Sequence, residues 1–179
     1  MADQHWLFGY GSIIWKTGFD FEERVTGYIE GYTRRFWQAS VDHRGTPEQP
    51  GRVVTLVPDP LEQCWGIAYR LPASQIEQIL DDLDVREVGG YERLAVDIRF
   101  ADGSIVKGLT YNAPAHNPHY LGDHEPAVIA RQIVSSTGPS GTNSEYILRL
   151  HDALEREGIV DQHVRELATL VQANCQETA

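Results

Sequence analysis

The sequence predicts one α+β domain, in which a strand-rich body comes first and helices follow. Short runs of β-branched and aromatic residues, separated by Gly, Pro, Asp and Asn, fill the first two thirds of the chain. The last third shows apolar residues at helical spacing. A length of 179 residues suits a single domain, numbered 1–179, that can bury a substantial core.

The body is predicted to be mostly β-sheet. The even spacing of its strand-like runs favours a closed or nearly closed sheet. The runs cover residues 6–10, 25–32, 36–40, 52–57, 64–71, 93–100 and 104–111. Asp102-Gly103, between the last two runs, is typical of a hairpin turn.

One helix is predicted within the body, and the others begin at about residue 126. The predicted ranges are about 74–83, 126–135, 142–154 and 162–172. Ser74 with Glu77, and Thr142 with Glu145, have the spacing of capping boxes, so each pair should begin a helix. The residues after the last helix are expected to fray.

Composition favours a small soluble substrate. The formal charge of −11, from 26 acidic and 15 basic residues, argues against a nucleic-acid partner or an anionic membrane, because both would be repelled. No stretch approaches the roughly 20 apolar residues of a membrane span. Residues 1–5 lack the basic and apolar regions of a signal peptide, so the protein is expected in the cytoplasm.

The cysteines and histidines do not indicate a metal or redox site. Cys64 and Cys175 are far apart, and Cys64 lies in an apolar, strand-like run. His116 and His119 are separated by Asn-Pro, which prevents a regular helical ligand pair. We therefore expect neither a metal nor a cofactor.

Two segments are candidates for binding and catalysis. Gly9 and Gly11 flank Tyr10 at the end of the first strand, where backbone N–H groups of residues 10–13 can converge on an anion such as a carboxylate. Glu87 lies where the first helix gives way to Gly-Gly and then a strand. A carboxylate placed in a pocket there is suited to proton transfer.

These segments belong to a wider pattern. Together with other motifs, they give the chain a close resemblance to the ChaC-like γ-glutamylcyclotransferases, specifically the glutathione-specific branch. The resemblance extends from about Trp6 to about Leu154, in the family's order and nearly its spacing. The further segments are 34–38, 42–45, 50–56, 65–69, 117–122 and 138–141. The resemblance implies the γ-glutamylcyclotransferase-like fold, which is a small mixed β-barrel with surrounding helices.

The resemblance also implies a reaction and a catalytic residue. In reduced glutathione, the γ-glutamyl α-amine attacks its own γ-carbonyl, giving 5-oxoproline and Cys-Gly. Glu87 matches the family's catalytic glutamate, so it is expected to act as general base and then as general acid. Its acidic neighbours are interpreted differently: Asp84 as a helix-end residue and Glu92 as a solvent-facing strand residue. Neither metal nor cofactor is required.

Substrate-binding residues are carried over by position. Gly9, Tyr10, Gly11, Ser12 and Ile13 match the family's substrate-binding turn, in which Ile13 replaces the usual Leu. Tyr10 either contacts substrate or packs. Arg52 is either a charge partner for a substrate carboxylate or part of a structural ion pair. Tyr111 and Tyr120 match family tyrosines. Asn112-Ala113-Pro114 after Tyr111 depart from the usual Ile-Gly-Thr and leave the local backbone course open.

Two other functions remain open. The chain could cyclise other γ-glutamyl amino acids or amines, or it could be a non-enzymatic γ-glutamyl-binding module. His43 is an alternative base. An intact Glu87 favours an enzyme, since a binding module needs no buried proton carrier.

Overall fold

The computed structural model describes residues 5–177 of the chain. Residues 1–4, where no signal peptide is predicted, lie outside the described residues, as do residues 178 and 179 at the end expected to fray. The strands are β1 Trp6–Gly9, β2 Glu23–Ser40, β3 Gly51–Arg70, β4 Glu92–Phe100, β5 Ile105–Asn112, β6 Thr137–Gly138 and β7 Gly141–Thr142. The α-helices are α1 Ile76–Arg86, α2 Pro126–Ser135, α3 Asn143–Arg156 and α4 Gln162–Glu177, and a 3₁₀ helix covers Ser12–Ile14.

Five strands form a closed barrel in the order β1-β3-β2-β4-β5. Strand β1 is antiparallel to β3 but parallel to β5, so the barrel is mixed. Strand β4 is antiparallel to both β2 and β5. The predicted α+β class and mixed barrel are therefore confirmed.

The chain divides into two compact units. The first contains the residues up to Thr33 together with Leu56–Pro114, and the second contains Arg34–Thr55 and the residues from Ala115 onward. Strands β2 and β3 each contribute residues to both units. The single domain expected from the sequence stays a prediction.

In the first unit, buried side chains of the barrel strands form the core. Leu7, Ile67, Tyr69 and Ile98 are all completely buried. Helix α1 also contributes buried apolar residues, as its helical spacing predicts. The predicted hairpin at Asp102-Gly103 is confirmed, since Phe100 and Ser104 close it with a 3.0 Å backbone hydrogen bond.

In the second unit, polar contacts join β2 to the start of α4. The Arg34 guanidinium, itself buried, lies 2.6 Å from the Asp161 carboxylate. Asp161 also accepts a hydrogen bond from the Val164 N–H in the first turn of α4. The Phe36 N–H donates to Nε2 of His163. These contacts fix α4 against β2, because each satisfies a group that burial would otherwise leave unpaired.

Close backbone approaches in the second unit require glycine. A Cβ added to Gly45 would lie only 2.1 Å from the Gly51 N, and one added to Gly138 would lie 2.4 Å from the His43 O. The short β6-β7 hairpin includes Gly138 and connects α2 to α3. The 138–141 segment is therefore built as a tight helix connector.

Several helix boundaries follow the sequence. Helix α2 has the predicted bounds, and Thr142 caps α3 by accepting a 3.1 Å hydrogen bond from the Glu145 N–H. The predicted Ser74 cap is wrong: Gln75 occupies that position and makes no side-chain capping bond. Helix α4 continues to Glu177, past its predicted end.

The predicted breaks within two strands are also wrong. Residues 25–32 and 36–40 belong to one strand, β2, and residues 52–57 and 64–71 fall almost entirely in β3. Proline lacks a backbone donor, but Pro58 and Pro60 lie in an exposed stretch of β3 where this costs little. None of the described helices is both long and apolar enough to span a membrane.

Candidate active site

The glycine-tyrosine-glycine turn lies at the end of β1. The chain leaves the strand at Gly9 and enters the 3₁₀ helix, with Gly11 as its N-cap. A Cβ on Gly9 would lie 3.0 Å from Cγ2 of Ile13, so glycine lets the chain fold closely back on itself. Neither glycine has a positive φ. Glycine at residue 9 therefore provides the space that this turn needs.

Two tyrosine hydroxyls hold this turn within the first unit. The Tyr10 hydroxyl donates to the Tyr111 carbonyl at 2.7 Å, and the Tyr69 hydroxyl donates to the Ile13 carbonyl at 3.0 Å. Tyr10 is also buried, with 6% of its surface exposed. These contacts favour the packing alternative for Tyr10 and give the turn a fixed shape.

The turn presents backbone donors at the start of the 3₁₀ helix. The helix's own bonding begins with the Ile14 N–H, which donates to the Gly11 carbonyl at 3.0 Å. The amides of Ser12 and Ile13 precede that bond and have no acceptor within the helix. Donors in this position suit a carboxylate or a carbonyl oxygen.

Glu87 is the C-cap of α1, directly after its last residue. Its N–H donates to the Leu83 carbonyl at 2.9 Å, and its side chain is 18% exposed. Gly90, just beyond it, has a φ of +102°, which permits the sharp turn toward β4. The predicted location, between a helix end and a Gly-Gly turn, is confirmed.

Arg86 joins the helix end to the turn. Its Nη2 donates to the Ser12 hydroxyl oxygen at 2.8 Å, and its Nη1 donates to the Lys16 and Thr17 carbonyls, each at 3.0 Å. Its Nε lies 3.6 Å from Oε1 of Glu87. Sequence reasoning did not assign Arg86 a role, although its position beside Glu87 in a family motif was a signal. The structure thus brings Ser12 and Glu87 to one arginine.

Asp84 makes a separate set of hydrogen bonds. Its carboxylate accepts two hydrogen bonds from Arg93, at 2.9 and 2.6 Å, and one from the Tyr111 hydroxyl at 2.6 Å. The Arg93 bonds, followed by that of Tyr111, hold the pKa of Asp84 below its usual range. Asp84 is therefore a helix-end carboxylate that stays ionised. Glu92 is exposed at the start of β4.

The hydroxyl of Tyr111 is occupied by this network. Besides Asp84, the Leu80 carbonyl lies 3.2 Å from it. Burial, followed by the bond to Asp84, raises the pKa of Tyr111 above its ordinary value. The hydroxyl stays protonated and bonded to α1. Tyr111 lies next to the turn through its backbone carbonyl, which accepts from Tyr10.

The departure from the family pattern after Tyr111 begins at the last residue of β5, Asn112. Strand β5 continues through Asn112, which pairs with Glu92 of β4. The Asn112 side-chain oxygen accepts from the Leu56 N–H at 3.2 Å, and Ala113 is completely buried. The local backbone course, left open by the sequence, is therefore a strand as far as Asn112, after which Ala113 and Pro114 leave it.

Arg52 lies in the second unit and is 1% exposed. Its Nε donates to Oε1 of Gln132 at 2.7 Å, and its Nη1 donates to the Phe36 and Gly122 carbonyls at 2.9 and 3.2 Å. Its Nη2 lies 2.9 Å from Nδ1 of His124. Burial lowers the pKa of Arg52 to about 10. These contacts favour the structural alternative for Arg52, with an amide oxygen, two backbone carbonyls and an imidazole nitrogen as partners.

Tyr120 and His43 also lie in the second unit. Tyr120 forms a β-bridge with Gln38, and its ring packs edge-on against Trp37 at 6.3 Å. Burial raises the pKa of Tyr120 above its ordinary value. His43 is about half exposed and has its Nδ1 3.3 Å from the Ser140 hydroxyl oxygen. Within residues 5–177, no group of three or more His, Cys, Asp or Glu side chains is placed to hold a metal ion.

Comparison with known proteins adds to this geometry. A model of the ChaC-like protein family matches residues 5–174. Human glutathione-specific gamma-glutamylcyclotransferase 1 is 41% identical over 174 residues, covering 94% of this chain and 77% of the human protein. The Schizosaccharomyces pombe glutathione-specific gamma-glutamylcyclotransferase is 34% identical over 192 residues, with 97% and 95% coverage. A crystal structure of the glutathione-specific cyclotransferase from yeast has a TM-score of 0.90 at 28% identity, covering 96% of each chain.

Proposed function

Because the chain belongs to the ChaC-like protein family, we propose that it is a glutathione-specific γ-glutamylcyclotransferase. Its relatives named for this activity cover nearly the whole of this chain, and the yeast enzyme with the same name shares its fold. The products are 5-oxoproline and Cys-Gly, so the reaction degrades glutathione.

The substrate supplies its own nucleophile. Once its ammonium has lost a proton to solvent, the γ-glutamyl α-amine attacks the γ-carbonyl carbon. Its nitrogen gives up a second proton, to the protein, as the five-membered lactam forms. The bond between that carbon and the cysteine nitrogen then breaks, and the nitrogen leaves as an amine after taking up a proton. The protein must hold the γ-glutamyl chain in a folded conformation, accept one proton and return one.

Glu87 is the proposed proton carrier. The observation that carries this proposal is the proximity of Glu87 to Arg86, whose guanidinium also binds Ser12 of the glycine-rich turn. A mostly buried carboxylate beside the binding turn can act as base toward the α-amine and then as acid toward the leaving nitrogen. Asp84 is a poorer candidate because Arg93 and Tyr111 already occupy its oxygens.

The turn from Gly9 to Ile13 is the proposed binding site for the γ-glutamyl group. Its backbone amides would bind the α-carboxylate or the γ-carbonyl, and they do not depend on Ile13 being Leu. Within this proposal, Tyr10 and Tyr111 shape the turn through their own hydrogen bond. Substrate contacts by Arg52 and Tyr120 stay predictions, as does the cytoplasmic location.

The test is a direct assay with a paired substitution. The purified protein is incubated with reduced glutathione without added metal or ATP, and 5-oxoproline and Cys-Gly are followed by mass spectrometry. Glu87→Gln should remain folded and bind γ-glutamyl compounds but lose at least about 10²-fold in turnover, since the amide cannot carry the proton. Glu92→Gln, at an exposed position nearby in sequence, is the control and should turn over normally.

Parallel incubations with γ-Glu-Ala and γ-Glu-ε-Lys test the alternative substrates. Products from glutathione alone support the proposed specificity, whereas turnover of only another γ-glutamyl compound would retain the chemistry and change the substrate. A folded wild-type protein without turnover of any of them would indicate a binding module. Wild-type activity in Glu87→Gln would contradict the proposed mechanism.

A further inference from the structure

Arg86 has an unusual set of partners for a surface-facing arginine. Its side chain is 26% exposed, yet it donates to three acceptors in the segment after β1 and lies near one carboxylate oxygen of Glu87. A planar guanidinium can serve several acceptors at once in fixed directions, which an ammonium group cannot do. Arg86 therefore holds two parts of the proposed site at defined positions.

The bond to Ser12 also fixes the direction of the serine hydroxyl. A guanidinium has donors only, so the Ser12 Oγ must accept in the 2.8 Å contact with Arg86. The hydroxyl proton then points away from Arg86 and is available to donate to another group. A cation bound to the oxygen also strengthens this donor. Ser12 is thus prepared to donate to an oxygen in the proposed site.

The two carbonyl contacts explain why Arg86 stays in this position. The Lys16 and Thr17 carbonyls follow the short 3₁₀ helix and accept from one nitrogen, Nη1. Carbonyls beyond a helix end attract a cation. The bonds of Nη1 and Nη2 therefore hold the guanidinium in place, and its Nε lies 3.6 Å from Oε1 of Glu87.

From these contacts we propose that Arg86 is a positioning residue for the cyclisation, acting through Ser12 and Glu87. This inference rests on the proposed function. Its role is to orient the Ser12 hydroxyl as a donor and to keep the Glu87 carboxylate beside the glycine-rich turn. The turn itself has independent fastening through Tyr10 and Tyr69, so its shape does not depend on Arg86.

This division of roles predicts which kinetic constant changes. In Arg86→Gln, the turn should still bind the γ-glutamyl group, so KM for glutathione should stay within about threefold of wild type. The kcat should fall by roughly 10- to 100-fold, because the donor and the proton carrier lose their orientation. Arg86→Lys keeps a positive charge but loses the planar set of guanidinium donors, so its kcat should lie between those of wild type and Arg86→Gln.

Two further variants distinguish a positioning role of Arg86 in the reaction from a role in folding. Arg70→Gln is the matched control, because Arg70 is similarly exposed, at 30%, and also forms ion pairs. Its partners are Glu22 and Glu23, not Ser12 or Glu87. Its kcat should stay within about twofold of wild type. If Arg86 acts through Ser12, adding Arg86→Gln to Ser12→Ala should cost less than adding it to wild type. Thermal unfolding by circular dichroism is measured for each variant, and kcat is expressed per folded molecule.

The outcomes are distinct. A folded Arg86→Gln with kcat within twofold of wild type, or with a higher KM and unchanged kcat, would contradict the positioning role. Fully additive losses with Ser12→Ala would contradict it as well. If Arg86→Gln does not fold, the same kinetic comparison is decided on Arg86→Lys. Absence of turnover in the wild type would contradict the proposed function and, with it, this inference.

Discussion

Protonation of His163 should destabilise the fold, and the size of the effect follows from its surroundings. Its Nε2 accepts from the Phe36 N–H, so this nitrogen cannot carry a proton while the bond exists. Burial, followed by the nearby charge of Arg35, lowers the pKa of His163 from 6.5 to about 4. The neutral imidazole is therefore the form that supports the contact between β2 and α4.

The sign of the pH effect follows from proton binding. Between about pH 6.5 and pH 4 the unfolded chain binds a proton at His163 and the folded chain does not, so lowering the pH favours unfolding. The full difference is roughly 3 kcal/mol below both values, because each pKa unit corresponds to about 1.4 kcal/mol. At about pH 5 most of it, about 2 kcal/mol, is already lost, whereas almost none is lost at about pH 7.5.

The assay compares wild type with His163→Gln. The glutamine amide oxygen can still accept from the Phe36 N–H, but it does not titrate. Urea unfolding followed by circular dichroism at about pH 7.5 and about pH 5 gives the free energy of unfolding of each protein. Wild type should lose about 2 kcal/mol more than the variant over this interval. The same substitution at the exposed His116 is the control.

The absolute stability of His163→Gln does not decide the test, since the ring also packs 5.9 Å from that of Phe36. What decides the test is how much more free energy of unfolding wild type loses than His163→Gln between the two pH values. An equal loss of stability in wild type and His163→Gln between the two pH values would refute the argument.

Three substitutions should test the close packing of the fold and one of its buried hydrogen bonds. Gly45→Ala should destabilise the protein by more than about 2 kcal/mol in urea unfolding, because its Cβ would lie 2.1 Å from the Gly51 N and the backbone must move. The control is Gly103→Ala, at an open position with a positive φ, which should cost only about 1 kcal/mol. Equal losses of stability in the two variants would contradict the packing argument. Tyr111→Phe should cost about 1–3 kcal/mol, because Asp84 loses a 2.6 Å hydrogen bond. An unchanged urea midpoint in Tyr111→Phe would mean that the bond contributes nothing to stability.

Local signals predicted the helices well. The apolar spacing of α2 and the Thr142 capping box of α3 depend on residues three or four positions apart, so a sequence window contains all the needed information. The cap of α1 could not be predicted in this way. Its first turn begins at Gln75 without a side-chain bond, which indicates that packing of the buried α1 face determines where the helix starts.

Strand continuity was harder to predict. Prolines and polar residues interrupt the periodic pattern in β3, and they predicted two strands where one continuous strand forms. Whether a chain continues as a strand depends on its partners, which are distant in sequence. The mixed barrel was predicted from the family resemblance, but its strand order β1-β3-β2-β4-β5 is known only from the structure, since no local pattern specifies which strands pair.

The candidate site was predicted in part. The glycine-rich turn and Glu87 were candidates from their local sequence, the resemblance assigned their roles, and the structure adds how each is supported. The Arg86 and Arg93 contacts could not be predicted from the sequence, because an arginine gives no local sign of which acceptors it will reach. For Arg52, the sequence left two alternatives, and its complete burial among neutral acceptors favours the structural one.

The hydrogen bonds that hold the segment after β1 affect how the surrounding sequence can diverge. Tyr10, Tyr69 and Arg86 all donate to main-chain oxygens, those of Tyr111, Ile13, Lys16 and Thr17. Every amino acid carries such an oxygen, so these accepting positions can change side chain without losing the bond. Evolution can therefore vary Lys16 and Thr17 freely and exchange Leu for Ile at residue 13, while the three donors remain under constraint.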